Sequence, residues 1–230
     1  MTPASSRRPG RSRRAVVAAL ALAVVLPLAA CGDGAGTAGG TSVDVDTPEL
    51  RDLRAAAGIE PCAPGTATEP ASGGLPSLTL PCLGGGESVD LAGLRGPLVI
   101  NLWASNCGPC RSEMPVLQEF HTTYGDRVPV LGIDMQDTYP EAAIGLAQLT
   151  GATYPSLADP DGELFGISEF RIPPALPQFI LLDADGAVAH QQLGGFDTLA
   201  EVEDMVAQHL PGVLPDKRPG ADADVAKEPS

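Results

Sequence analysis

Two cysteines at CxxC spacing carry the clearest chemistry in this chain. Cys107 and Cys110 lie in the stretch NCGPCRSEMP, with Gly108 and Pro109 between them. An apolar run, PLVINLW, precedes the pair, and a run with helical periodicity follows it. Cysteines at this spacing occur as half of a zinc site, as a structural disulfide or as a redox-active dithiol.

The predicted boundary between a buried strand and a helix favours the redox-active dithiol. Cys107 falls at the N-terminus of the helix, where the partial positive charge stabilises a thiolate. Cys110 lies one turn further on, so both sulfurs share a face and can close a small ring. The spacing therefore predicts that Cys107 attacks a partner disulfide and that Cys110 resolves the mixed disulfide.

The other interpretations find less support, although an inert structural disulfide stays open. A structural zinc site needs four ligands. The chain has no second CxxC and its three histidines are isolated, so we expect no metal and no cofactor. A copper-delivery protein of similar fold would carry CxxxC and a well-placed His. A peroxiredoxin would carry Thr three residues before its nucleophilic cysteine, where this chain has Ala104.

The first thirty residues have the composition of an export signal. Residues 1–14 contain five arginines and no acid, and residues 15–28 are almost wholly apolar. This apolar run is shorter than the roughly 20 residues that span a bilayer. LAAC, which ends at Cys31, resembles the lipobox of bacterial lipoproteins, whose cysteine becomes the lipid-modified N-terminus. We expect a lipoprotein signal peptide at 1–30 and lipidation of Cys31. An ordinary signal peptide cleaved near Ala30 is the alternative.

The charge of the remaining chain argues against nucleic acid as a partner. Removal of residues 1–30 removes five of the 14 basic residues and none of the 29 acidic residues, which leaves a net charge of about −20. Phosphate binding needs clustered cations, so we expect neither nucleic-acid binding nor a basic membrane-surface helix.

Composition divides the exported chain into three parts. Residues 31–74 are rich in Gly, Thr, Pro and Asp, and we predict a flexible tether with one short helix from Pro48 to Ala57, capped by Thr47. Residues 75–210 alternate between strand and helix periods and are long enough for one domain. The polar, Pro-rich residues 211–230 are predicted to be a disordered tail.

The periods within 75–210 predict an α/β fold. Strands are predicted at 77–80, 87–91, 97–103, 128–134, 178–183 and 187–193, and helices after the cysteines, at 140–151 and from Leu199 to Leu210. After the first hairpin the order β-α-β-α-β-β-α predicts three layers around a mixed sheet.

The stretch NLWASNCGPCRSEMPVL resembles the active site of thioredoxin-like proteins, specifically the extracytoplasmic TlpA/ResA-like group. LRGPLVINLWAS before the pair and LPQFILLDADGAV downstream extend the resemblance over about 75–210. It implies a thioredoxin-like three-layer α/β/α fold with a central mixed sheet and an N-terminal β-hairpin. It also implies that Pro177 is a cis-proline facing the disulfide, and that Trp103 lies half in the core and half in the active-site wall.

The chain departs from the family pattern at two asparagines. Asn106 stands where an aromatic residue usually precedes the first cysteine, and we expect it to cap the helix. Asn101 stands where cytoplasmic thioredoxins carry a buried acid, so the proton of Cys110 needs another acceptor. Glu113 resembles the acid that ResA-like proteins use. The alternative is a solvated first-turn glutamate favoured by the helix dipole.

Cys62 and Cys82 lie outside the standard domain. The four cysteines other than Cys31 allow three pairings. The closeness of Cys107 and Cys110 favours their pairing, which leaves Cys62 with Cys82. We predict a structural disulfide that pins the N-terminal segment. The alternative is a relay disulfide that exchanges with Cys107.

The resemblance implies a membrane-tethered, extracytoplasmic thiol–disulfide oxidoreductase. Relatives keep the cysteines of exported proteins, among them apocytochrome c, reduced with electrons from a membrane thiol reductase. We therefore expect exported protein disulfides and such a reductase as partners, and a lipid anchor in the membrane. A disulfide-forming oxidase and a tethered binding module without turnover are the alternatives.

Overall fold

The structure, a computed structural model, describes residues 43–65, 67–168, 170 and 172–215. The predicted signal peptide at 1–30, the predicted lipidation site Cys31 and residues 216–230 of the predicted tail lie outside these ranges. None of the described helices combines the length and the apolar character that crossing a membrane requires.

A five-stranded mixed sheet forms the centre of the fold. Its strands are β3 (Leu98–Trp103), β4 (Val130–Met135), β5 (Ser156–Asp159), β6 (Gln178–Leu182) and β7 (Val188–Leu193), in the spatial order β5-β4-β3-β6-β7. Strands β3, β4 and β5 are parallel, and β6 and β7 continue the sheet antiparallel. Every residue of β3, β4, β5 and β6 is buried, as in strands that are covered on both faces.

Different elements cover the two faces of the sheet. One core cluster joins it to α1 (Pro48–Ala57), α2 (Gly108–Tyr124), α3 (Pro140–Thr150) and α5 (Leu199–His209). The other face is covered by the hairpin of β1 (Thr79–Leu80) and β2 (Val89–Asp90), by a 3₁₀ turn at Leu91–Gly93 and by the short helix α4 (Glu163–Gly166). The predicted α/β fold with a mixed sheet and an N-terminal hairpin is confirmed.

Strand β5 and helix α4 correct the predicted order of elements. Neither was predicted, because four residues are too few to show a period and Pro155 and Pro160 flank the strand. Tertiary contacts form both elements. β5 pairs with β4, and the Asp159 carboxylate accepts hydrogen bonds from the backbone N–H groups of Glu163 and Leu164 at 2.8 and 3.0 Å.

The described part of the predicted tether packs against the domain, which differs from the predicted boundary at residue 75. Helix α1 has the predicted bounds, and Thr47 Oγ1 accepts a hydrogen bond from Leu50 N–H at 3.2 Å. Leu50 is buried, as are Val45 and Ile59. These apolar residues are too widely spaced to give a sequence period. At the other end, residues 211–215 continue the fold beyond the predicted end of the domain, since Val213 packs on the same core.

A disulfide between Cys62 and Cys82 fastens this segment to the edge of the sheet. The two Cα atoms lie 5.9 Å apart, and both residues are buried. Cys82 forms an isolated bridge with Leu157 of β5, and Leu83 N–H donates to Ser156 O at 2.9 Å. The segment thereby satisfies backbone groups that an edge strand would otherwise expose.

This arrangement predicts that removal of the disulfide destabilises the fold. For the variant Cys62→Ala/Cys82→Ala we expect the free energy of unfolding to fall by about 3 kcal/mol, because a loop of about 20 residues is no longer closed in the unfolded chain. Urea denaturation of the oxidised proteins measures the difference. The matched control, Cys107→Ala/Cys110→Ala, opens a much shorter loop and should lose less. An unchanged free energy of unfolding in the first variant would contradict a structural role.

Candidate active site

The junction between β3 and α2 places the two sulfurs differently. Cys107 is the N-cap of α2, and its Sγ accepts a hydrogen bond from the backbone N–H of Cys110 at 3.3 Å. The residues are disulfide-bonded, with their Cα atoms 5.3 Å apart. Cys107 is half-buried, whereas Cys110 is fully buried. A partner therefore reaches the sulfur of Cys107 first.

The loop before the disulfide is held by an acid from the next strand end. Asp137, just after β4, accepts a hydrogen bond through Oδ2 from Ser105 N–H at 2.9 Å. Asn106 is exposed and is not the N-cap, which corrects the predicted capping role. The reason is that α2 begins at Gly108, so Cys107 has the extended backbone conformation that an N-cap requires.

Glu113 is a buried carboxyl one turn after Cys110. It is only 1% exposed, and its Oε1 accepts a hydrogen bond from Asn101 Nδ2 at 2.9 Å. Burial raises the pKa of Glu113 from 4.5 to about 8, and the hydrogen bond from Asn101 opposes that rise. The alternative of a solvated first-turn glutamate is therefore wrong.

The sequence predicts no role for Asn101 beyond the absence of a buried acid at this position. The structure places it on β3, fully buried and facing α2, as the hydrogen-bond donor to Glu113. Its signal in the sequence is a single polar residue within the apolar run LVINLW. A buried polar group needs a partner, so the buried glutamate and the buried asparagine stabilise each other's position.

Gly195, from the far end of the chain, borders the Glu113 carboxyl, and Pro177 lies next to Gly195. The Leu176–Pro177 peptide bond is cis, and Pro177 is buried at the start of β6. A Cβ atom added to Gly195 would lie 2.6 Å from Glu113 Oε2 and 3.6 Å from Pro177 Cγ. Gly195 was missed in the sequence, where a glycine pair after a strand signals only a turn.

Trp103 belongs wholly to the core, which corrects the predicted half-exposed position. Its side chain is 0% exposed and packs in the same cluster as Cys110 and Met114. A Cβ atom at Gly132 on β4 would lie 2.8 Å from the indole Nε1, so the glycine makes room for the ring. Trp103 therefore lies in the same buried cluster as Cys110 and does not form the exposed rim of the site.

Buried acids lie at the carboxyl ends of β4 and β5. Burial raises the pKa of Asp134 well above its ordinary value, and the neighbouring Asp137 and Asp159 raise it further. Within the described residues no group of His, Cys, Asp and Glu is arranged to hold a metal ion. Asp137 and Asp159 accept hydrogen bonds from backbone N–H groups, whereas Asp134 Oδ1 is buried without a hydrogen-bond partner among the described residues.

The two disulfides pack on opposite faces of the sheet. Cys110 lies in the cluster that contains α2 and α5, and Cys62 and Cys82 lie in the cluster beneath the hairpin. The Cys62–Cys82 disulfide therefore packs in a different core cluster from Cys110, and its structural role stays a prediction.

Residues 73–191, just over half of the chain, match the sequence model of the AhpC/TSA family. The chain is 36% identical over 104 residues, 43% of its length, to the thiol:disulfide interchange protein DsbE homolog of Paracoccus denitrificans. It is 30% identical over 111 residues, 47% of its length, to the thiol-disulfide oxidoreductase ResA of Bacillus thuringiensis. The chain spans only 51% and 62% of the lengths of these relatives.

A solved structure of a secreted thiol-disulfide isomerase from Corynebacterium glutamicum also aligns with this chain. The TM-score is 0.52 at 27% identity, over 60% of this chain and 84% of the other. Together these matches confirm the predicted resemblance to thioredoxin-like proteins.

The raised pKa of Glu113 predicts a specific pH dependence of stability. Between about pH 4.5 and 8 the folded, oxidised protein keeps a proton on Glu113 that the unfolded chain has lost. Stability contributed by this group is therefore complete at low pH and falls as the pH rises, by at most about 1.4 kcal/mol per pH unit. Urea denaturation at several pH values should show a smaller decline for Glu113→Gln. Parallel curves for the variant and the wild type would contradict the buried, proton-bound carboxyl.

Proposed function

The chain belongs to the AhpC/TSA family, and on that premise we propose that it is a thiol–disulfide oxidoreductase acting through Cys107 and Cys110. One observation carries the proposal: a reachable sulfur at the N-cap of α2 is bonded to a fully buried sulfur one turn later. The thiol–disulfide names of the two relatives support the same chemistry.

In the first step, reduced Cys107 attacks the disulfide of a partner. The N-terminus of α2 favours the thiolate, because the free N–H groups of the first turn and the helix dipole stabilise negative charge. A bond forms between Cys107 Sγ and one partner sulfur, while the partner's own S–S bond breaks. The second partner sulfur leaves as a thiolate and takes a proton from solvent. The product is a mixed disulfide.

In the second step, Cys110 resolves the mixed disulfide. Its thiol gives a proton to the carboxylate of Glu113, and its sulfur attacks Cys107 Sγ. The intramolecular disulfide forms, the bond between Cys107 Sγ and the partner sulfur breaks, and the partner leaves as a thiolate that takes a proton from solvent. Two electrons have passed to the partner. A carboxyl with a pKa of about 8 is well matched to a thiol, whose ordinary pKa is about 8.5, because neither direction of proton transfer is strongly uphill.

The compartment and the partners form the finer part of the proposal. The export signal at 1–30 and the lipobox ending at Cys31 support an extracytoplasmic, lipid-anchored protein. A second, structural disulfide is typical of an oxidising compartment. We propose exported protein disulfides, including those of apocytochrome c, as substrates, and a membrane thiol reductase as the electron donor.

A disulfide-forming oxidase would use the same atoms in the opposite direction. The direction depends on the reduction potential of the Cys107–Cys110 pair relative to that of its partners. A binding module without turnover would need neither sulfur. Measurement of the reduction potential separates the first two functions, and equally low disulfide turnover by the wild type and by Cys107→Ala would support the module.

The difference in accessibility predicts which variant captures a substrate. Reduced Cys110→Ala, mixed with a peptide that contains one intramolecular disulfide, should accumulate a mixed disulfide through Cys107. Cys107→Ala should capture none, because Cys110 is buried. Intact mass spectrometry and peptide mapping identify the linkage. Capture through Cys110 or Cys62 would contradict the assignment.

The position of Glu113 predicts a defect in release rather than in attack. Glu113→Gln should form the mixed disulfide at the wild-type rate but release it about 10²–10⁴ times more slowly, the usual loss of a general base. Stopped-flow reduction of the same peptide across pH separates the steps. Glu119→Gln, an exposed acid on the same helix, is the matched control and should behave as wild type. Equal release rates for both variants would remove Glu113 from the mechanism.

A further inference from the structure

Gly195, which has no side chain, lies between the Glu113 carboxyl and the protein surface. Gly195 follows β7 and is exposed. Its neighbours fix its place: Gly194 N–H donates to Pro177 O at 3.0 Å, and the Phe196 ring packs edge-on against Phe179 with ring centroids 4.6 Å apart. Gly195 is therefore held over the carboxyl from both sides.

The two oxygens of Glu113 have different surroundings. Oε1 accepts the hydrogen bond from Asn101, whereas Oε2 is buried and has no hydrogen-bond partner among the described residues. The oxygen that is free to carry a proton is thus Oε2. A Cβ atom at position 195 would lie 2.6 Å from this atom and 3.7 Å from Glu113 Cδ. Oε2 therefore occupies the space that any other residue type at 195 would fill.

We propose that Gly195 is a positioning residue for the release step: its missing side chain provides the space that holds the proton-carrying oxygen of Glu113, which lies on α2 one turn after Cys110. This inference rests on the proposed role of Glu113. Non-bonded atoms essentially never approach within 3.0 Å of a Cβ atom, so a methyl group at 195 forces a displacement. The atom that gives way is the end of a flexible side chain, so the backbone has no reason to move.

The displacement has a defined chemical consequence. A shifted carboxyl moves away from its hydrogen bond with Asn101 and from its place near Cys110. The other titratable side chain that faces it is Tyr154, whose pKa is raised by burial and then by Glu113, so the phenol stays neutral. Loss of the Asn101 hydrogen bond removes the contact that lowers the pKa of Glu113. The proton affinity of the carboxyl should therefore rise.

The test is Gly195→Ala. We expect a folded protein in which the mixed disulfide forms at the wild-type rate and is released about 10–100 times more slowly, as for misplacement of a catalytic group by about 1 Å. Carbon-13 NMR titration of the Glu113 carboxyl in the oxidised protein should show a pKa above the wild-type value. This titration needs no substrate, so it tests the placement of the carboxyl even if the proposed function fails.

Two glycine variants serve as controls. Gly145→Ala adds a methyl group where no atom lies within 4 Å, and it should leave both readouts unchanged. Gly194→Ala meets no atom either, but its φ of +105° strains the backbone. It should lower stability without raising the pKa of Glu113, which separates strain in the loop from pressure on the carboxyl.

A double-mutant cycle decides whether Gly195 acts through Glu113. In a Glu113→Gln background the alanine at 195 should slow release by less than twofold, because the proton acceptor is already absent. An undiminished effect in that background would overturn the proposal, as would a wild-type titration of Glu113 in Gly195→Ala. If the wild-type protein does not reduce the peptide, but the pKa of Glu113 in Gly195→Ala rises as expected, only the proposed function is overturned.

Discussion

The burial of one carboxyl beside the Cys107–Cys110 disulfide is the constraint on which the rest of the site depends. A buried acid with a single hydrogen bond favours its neutral form, because burial penalises the charge more than Asn101 compensates for it. Each surrounding element contributes to this balance. Strand β3 supplies the amide donor, α2 carries the acid, and the chain beyond β7 closes over it with Gly195, which has no side chain to displace it.

The same junction explains why the two sulfurs differ. Strand β3 leads through a short loop into α2, so the N-cap lies near the surface and the first helical turn enters the core. Cys107 is therefore reachable and Cys110 is not. Trp103 packs in the same buried cluster as Cys110, and Asp137 holds the connecting loop through Ser105. In the proposed function, the order of attack and resolution therefore follows from the backbone path, which exposes Cys107 and buries Cys110.

The sequence predicts the parts of this site that depend on local pattern. Long apolar runs identify β3, β4 and β6, and helical periodicity identifies α2, so the disulfide is placed correctly at a strand–helix junction. Features that depend on distant contacts cannot be predicted in this way. β5 and α4 are too short to show a period, and the buried position of the Trp103 ring depends on the space that Gly132 leaves on another strand. Gly195 lies 82 positions after Glu113 in the sequence, so no local spacing could connect them. The isolated Asn101 in β3 is the one local sign of a buried polar pair.

In the proposed function, a neutral Glu113 in the oxidised protein also links the two halves of the catalytic cycle. When a donor dithiol attacks Cys107, the sulfur of Cys110 leaves and needs a proton. Because burial keeps the carboxyl protonated up to about pH 8, the proton is already in place one turn away. The carboxyl that accepts this proton during resolution therefore returns it during reduction. In this proposal the buried acid serves as base and as acid in turn.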